Sequence, residues 1–176
     1  QTWLPLFTLL VGAIVGLLDD WLEISDQGDY LPGGLSLKKR LLIVGLMGLV
    51  GGWWFYAKLG VTAISIPFVG PLNIGWLLIP FFMLVMMATY STGVIDGLDG
   101  LSGGVFASCF SAYGIISFAM GLINLAAFCF VIVGGILAFL WFNIPPARFY
   151  MTETGVMGLT TTLSVIAFLT DHVLIL

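Results

Sequence analysis

Leu125 to Phe142 reads LAAFCFVIVGGILAFLWF, eighteen residues without a charge, and Asn143-Ile144-Pro145-Pro146 follows directly. A helix built from such a run is apolar on every side and has no face to offer water. Its length approaches the roughly 20 residues that cross a hydrocarbon core. Five other apolar runs flank it: Trp3–Leu18, Leu41–Ala57, Gly75–Thr89, Val105–Met120 and Val156–Leu169. Several are shorter than a full crossing, so their ends are expected to extend into the polar segments beside them. Lipid cannot hydrogen-bond a bare backbone, which leaves helices or closed barrels as spanning structures. A barrel needs segments of about ten residues with alternating polarity, and the chain has none. The fold class expected is therefore all-α and polytopic, with about six transmembrane helices in one domain over residues 1–176.

Composition agrees. The chain of 176 residues is 60% hydrophobic and 8% charged, against roughly 25% charged in soluble domains. Its mean hydropathy is +1.16. A net charge of −4, with no basic cluster longer than Lys38-Lys39-Arg40, argues against a nucleic-acid partner. Cys109 and Cys129 lie inside apolar runs and read as packed thiols. Gly45, Gly48, Gly51, Gly52, Gly134 and Gly135 would allow helices to approach closely, and Pro80 reads as a tolerable kink. The chain opens part-way into one apolar run and closes where another begins, which suggests a slice of a longer protein.

Eight of the nine acidic residues fall in three polar segments that alternation places on one side of the membrane. The segment 19–40 carries the basic cluster, so positive-inside bias assigns this side to the cytoplasm. Segments 58–74, 121–124 and 170–172 then face outward. The first of these, with β-branched residues and Gly-Pro breaks, suggests a small hairpin. His172, beside Asp171, reads as a solvated loop residue with no role.

Asp19-Asp20 stands where a span meets its loop. Adjacent carboxylates repel and are easiest to keep ionised around a divalent cation, although a solvated helix end explains them equally. In Asp96-Gly97-Leu98-Asp99-Gly100, two carboxylates three residues apart share a face if helical. The glycines at 93, 97, 100, 103 and 104 would let backbone N–H groups approach a ligand; a plain turn is the alternative. In Asn143 to Gly155, Tyr150 could stack a planar base, Arg148 could meet a phosphate and Glu153 could ligate a metal. A helix stop at Pro145-Pro146 with interfacial aromatics accounts for the same residues.

Taken together, Gly16-Leu-Leu-Asp-Asp-Trp21, Asp96-Gly-Leu-Asp-Gly-Leu-Ser-Gly-Gly104 and Phe139-Leu-Trp-Phe-Asn-Ile-Pro-Pro-Ala-Arg-Phe-Tyr-Met151 resemble the polyprenyl-phosphate N-acetylhexosamine-1-phosphate transferase superfamily. The phospho-N-acetylmuramoyl-pentapeptide-transferase branch is nearest. The resemblance implies a central fragment of a roughly ten-helix fold in the bacterial inner membrane, with its active site on the cytoplasmic face. It implies transfer of a phospho-muramoyl-pentapeptide group from a UDP-linked sugar to undecaprenyl phosphate, with Mg²⁺, giving lipid I and UMP. Asp19, Asp20 and Asn143 match catalytic positions. Asp96, Gly97, Leu98, Asp99 and Tyr150 match the nucleotide site, and Glu153 matches a metal ligand. A homodimer is compatible with this reading.

The chain departs from the pattern at Glu23, where the family has Lys, at Tyr90 and Gly93, where it has Asn, and at Glu153, where it has Asp. Three other readings stay open. One is transfer of N-acetylglucosamine-1-phosphate within the same superfamily. Another is a cation transporter, which predicts ionisable groups near the midplane. The third is a catalytically silent scaffold.

Overall fold

A computed structural model describes residues 2–25, 37–66, 70–92 and 99–176. Six α-helices account for most of it: α1 (Trp3–Ser25), α2 (Leu37–Lys58), α3 (Leu78–Thr92), α4 (Leu101–Ala119), α5 (Ile123–Asn143) and α6 (Glu153–Leu169). Each coincides with one of the apolar runs, and α1, α2, α5 and α6 contain theirs and extend beyond them. α3 begins three residues into its run, after a 3-10 turn, and α4 starts earlier than its run but stops one residue short of its end. Residues 3–22 of α1, together with α2, α4 and α5, are long and apolar enough to cross a membrane. The chain is an all-α, polytopic membrane fragment.

α6 organises the rest. At 17 residues it is only about 26 Å long, short for a span of roughly 30 Å. It is nevertheless buried along nearly its whole length, so protein surrounds it where lipid would otherwise demand a match. Its buried hydroxyls return to their own helix. Thr160, Thr161 and Thr162 donate to the carbonyls of Val156, Met157 and Gly158 at 2.6–2.7 Å. This satisfies each polar group without opening the core. α1 lies along α6 at close range. A Cβ added at Gly12 would come 2.5 Å from Thr161 Oγ1, and one at Gly16 would collide with the Glu153 carbonyl.

The α2–α3 pair uses the same device. A Cβ on Gly48 or Gly52 would come 2.8 Å from the Met83 Cα or 2.9 Å from the Ile79 Cα. Gly134 and Gly135 do not behave as expected: an added Cβ would meet nothing within 4 Å. They face away from the described helices, so the close approach they permit is not used among the described residues. Gly12 and Gly16, four apart on α1, supply the tighter seam instead.

At the end opposite Asp19, Phe168 of α6 stacks on Phe82 of α3 at 4.3 Å and meets Phe55 of α2 edge-on at 5.9 Å. The expected hairpin is present there. β1 (Ala63–Ile66) pairs antiparallel with β2 (Gly70–Asn73), in the register Ala63↔Asn73 to Ile66↔Gly70. A 3-10 turn, Gly75–Leu77, leads into α3. Asp171 and His172 are half-buried rather than solvated. The Asp171 carboxylate accepts from both the backbone N–H and the hydroxyl of Ser65. The Tyr113 hydroxyl donates to the His172 carbonyl at 3.0 Å. Hairpin, α4 and the end of α6 are thereby tied together, a pairing that only the return of the chain through four helices, α3 to α6, creates.

Candidate active site

The other end gathers the functional candidates because six helices alternate direction. The C-terminal ends of α1, α3 and α5 meet the N-terminal ends of α2, α4 and α6. Asp19 and Asp20 do not lie in a loop: α1 continues through them to Ser25. Successive helical residues point about 100° apart, so the two carboxylates reach different partners.

Asp20 reaches the start of α6. Its Oδ1 accepts the Glu153 backbone N–H at 3.2 Å, and its Oδ2 accepts the Thr154 N–H at 3.1 Å and the Thr154 hydroxyl at 2.5 Å. Thr152, at the N-cap position, makes no side-chain cap bond of its own. Asp20 therefore caps α6 from another helix, satisfying orphan donors with a charge that the helix dipole favours. The fit requires Gly16, one turn earlier, because a side chain there would displace the backbone that Asp20 holds.

Asp19 is fully buried. Arg40, in the first turn of α2, places Nε 2.7 Å from Asp19 Oδ2 and Nη1 2.5 Å from Glu153 Oε1. The second oxygen of Glu153 accepts the Tyr90 hydroxyl from α3 at 2.9 Å. One residue from each of α1, α2, α3 and α6 thus meets at a single point. The side chains of Arg40 and Glu153 are 20% exposed, so the cluster touches the surface only at one edge.

A second cluster joins α4 to the segment after α5. Asn143 is fully buried. Its Oδ1 accepts the Gly100 N–H at 2.9 Å and its Nδ2 donates to the Phe149 carbonyl at 2.9 Å. Gly100 caps α4 at a φ of 77°, a left-handed conformation that suits glycine. Asp99 accepts the Tyr150 hydroxyl at 2.6 Å and the Ala147 N–H at 3.0 Å. These two bonds hold its carboxyl below the usual carboxylate range, the tyrosine contributing most. The Tyr150 ring is 50% exposed, open to a flat ligand. Arg148 lies 6.0 Å above the Phe142 ring, a cation–π contact at the edge of its range. Asp96, Gly97 and Leu98 lie outside the described residues, as do Gly93 and the Glu23 side chain.

Among the described residues, no three His, Cys, Asp or Glu side chains close on a common point as a metal cage. Two carboxylates do converge on one cation, and that cation is Arg40. The donors are hard oxygens of the kind Mg²⁺ accepts, so Asp19 and Glu153 suit such an ion in type, with Arg40 as its stand-in.

Sequence reasoning missed Arg40, read only as a topology signal, and Tyr90, read only as a departure. The preference for Arg over Lys where two carboxylates must be bridged was an available clue. Gly12-x-x-x-Gly16 was a clue to the α1–α6 seam.

Residues 2–171 match the family described as glycosyl transferase family 4. The chain belongs to that family, as the three stretches quoted above suggested. Several curated relatives carry the name phospho-N-acetylmuramoyl-pentapeptide-transferase. That of Chloroflexus aurantiacus is 34% identical over 98% of this chain and 49% of its own length. The Clostridium perfringens protein is 36% identical over 100% and 55%, and the Listeria innocua protein 33% over 96% and 52%. The chain spans about half the length of the curated relatives it matches.

Proposed function

We propose that the whole protein transfers a phospho-N-acetylmuramoyl-pentapeptide group from a UDP-linked donor to undecaprenyl phosphate, on the cytoplasmic face of a bacterial membrane. Lipid I and UMP would be the products. The observation that carries the reading is the family match across nearly the entire chain, together with the relatives' shared name. The residues that resembled the family's site lie, where described, at one end of the helices.

In the proposed reaction an oxygen of the lipid phosphate attacks the sugar-linked phosphorus in line. A new P–O bond forms as the bond to the bridging oxygen breaks, and the electron pair leaves with UMP. A phosphate monoester has its second pKa near about 6, so the nucleophile is already mostly ionised at neutral pH. No strong base is needed, and Asp19, buried against Arg40, is suited to orientation rather than proton removal. Mg²⁺, held by Asp19 and Glu153, would neutralise charge on the diphosphate. Asp20 is a positioning residue, fixing the start of α6 and with it Glu153. Asn143 is likewise a positioning residue, since both ends of its amide hold backbone. Tyr150 offers its ring to the uracil, oriented by Asp99. Asp96, Gly97 and Leu98 complete the nucleotide site.

The test is Mg²⁺-dependent UMP release by the full-length protein, with undecaprenyl phosphate and each UDP-sugar in turn. Release with the muramoyl pentapeptide donor alone is expected. Release only with UDP-N-acetylglucosamine would move the assignment to the other branch, and no UMP with any donor would overturn the transferase reading.

A further inference from the structure

Two buried or nearly buried carboxylates on different helices require a positive charge between them, because their mutual repulsion is poorly screened where water is scarce. In this chain the charge is covalently attached. Arg40 forms an ion pair with Asp19, its Nε 2.7 Å from Oδ2, and donates a hydrogen bond to Glu153 through Nη1. Its delocalised guanidinium spans what a compact Lys ammonium cannot, setting one nitrogen against each of two carboxylates on different helices. The longer Glu arm at 153 brings one oxygen to Arg40 and the other to the Tyr90 hydroxyl, so both of its oxygens already accept a donor. Position 153 is one where the resemblance leads to Asp, and position 90 one where it leads to Asn. The two departures touch each other.

We propose that Arg40 is a built-in counter-cation that competes with a divalent ion for Glu153, holding the Asp19–Glu153 pair together without metal and releasing Glu153 when metal binds. The inference rests on the metal expectation stated above, and it adds that metal binding must displace a protein cation. Three features make the exchange feasible. The Arg40 side chain is 20% exposed, which leaves a path for its head to swing outward along a flexible stem. Tyr90 is a neutral donor, and a hydroxyl bonded to one oxygen of a carboxylate leaves lone pairs for a metal on the other. Asp20 is committed to the start of α6 through three bonds, so the backbone carrying Glu153 is held while its side chain changes partner. The other basic residues of the cluster, Lys38 and Lys39, are exposed and do not share the site.

The experiment measures Mn²⁺ binding to the full-length protein in detergent without substrate, by loss of the free-ion electron paramagnetic resonance signal. Arg40→Lys keeps the charge but cannot fork. It is expected to bind Mn²⁺ at least about tenfold more tightly than the wild type, the loss of one charge-assisted bond to Glu153. Arg40→Gln is expected to bind more tightly still, and Glu153→Gln to lose the site. Folded fraction is checked by thermal midpoint and gel filtration, and Arg40→Lys decides the matter if Arg40→Gln fails to fold. Equal or weaker Mn²⁺ binding in folded Arg40→Lys overturns the proposal, as does absence of Mn²⁺ binding in every variant. Neither measurement depends on turnover. A protein that released no UMP could still show the competition, and an active one could lack it.

Discussion

Two tyrosine–carboxylate bonds at the polar end of the helices stand in opposite surroundings. Tyr90 donates to Glu153 at 2.9 Å beside a fully buried Asp19 and the Arg40 guanidinium. Tyr150 donates to Asp99 at 2.6 Å, with its ring half open to solvent. In the first setting a removed partner leaves charge stranded where water cannot reach it, and the cost is large. In the second, water replaces what is lost and the energetic stake is small. The first cluster locks four helices together, whereas the second holds a surface ring in place. The buried bond and the exposed one thus fall on different carboxylates, Glu153 and Asp99, that are distant in sequence.

The comparison can be broken most forcefully at Arg40. Arg40→Met leaves the Asp19 carboxylate buried without its counter-charge, and a loss of about 3–5 kcal/mol is expected. Denaturant unfolding of the full-length protein in detergent measures it, and an unchanged midpoint would show that the pair carries no stability. A smaller loss is expected from Gly16→Ala, whose methyl would push against the Glu153 and Thr154 backbone. Overpacking of that kind costs about 1–3 kcal/mol. Gly134→Ala, with open space around it, serves as its control and should stay within about 0.5 kcal/mol of wild type. If the two alanines cost the same, the α1–α6 seam is not a tight contact.

Asp20→Ala removes a cap supplied from a neighbouring helix, worth about 0.5–2 kcal/mol. Thr154→Val, which deletes one of the three bonds, should cost less than Asp20→Ala in the same assay. The smallest effect belongs to the exposed cluster. Asp99 is held below the ordinary carboxylate value by Tyr150 and Ala147. Its contribution is therefore full above the unfolded value of about 3.9 and disappears as pH falls through the lowered one. The carboxyl carbon of Asp99, followed by NMR, should titrate below the ordinary range in the wild type and shift upward in Tyr150→Phe. A midpoint unaffected by that substitution would remove the bond from the account.

Hydropathy and alternation were enough to read six helices, the hairpin at one end of them and a common opposite end for Asp19, Asp20, Asn143, Tyr150 and Glu153. These features depend on local composition and on the parity of crossings, both of which are linear properties of a chain. The division of labour among those residues was not legible. Asp19 and Asp20 are neighbours of the same chemistry, and only the 100° turn between them on α1 separates an arginine partner from a helix cap. Asn143 matched a catalytic position by resemblance, and nothing local in the sequence announced that its amide also bonds the Gly100 and Phe149 backbone. Gly134 and Gly135 looked like a packing seam by composition, and Gly12 and Gly16 were the ones that packed.

The sequence by itself determined the membrane class and the order of the apolar helices, since each follows from the transfer of apolar and charged groups between lipid and water. Tertiary structure alone decided that Arg40 would bridge Asp19 to Glu153 and that Tyr90 would close the other side. Those contacts join residues as far as 113 positions apart. Helix packing sets their geometry, and no local pattern encodes it.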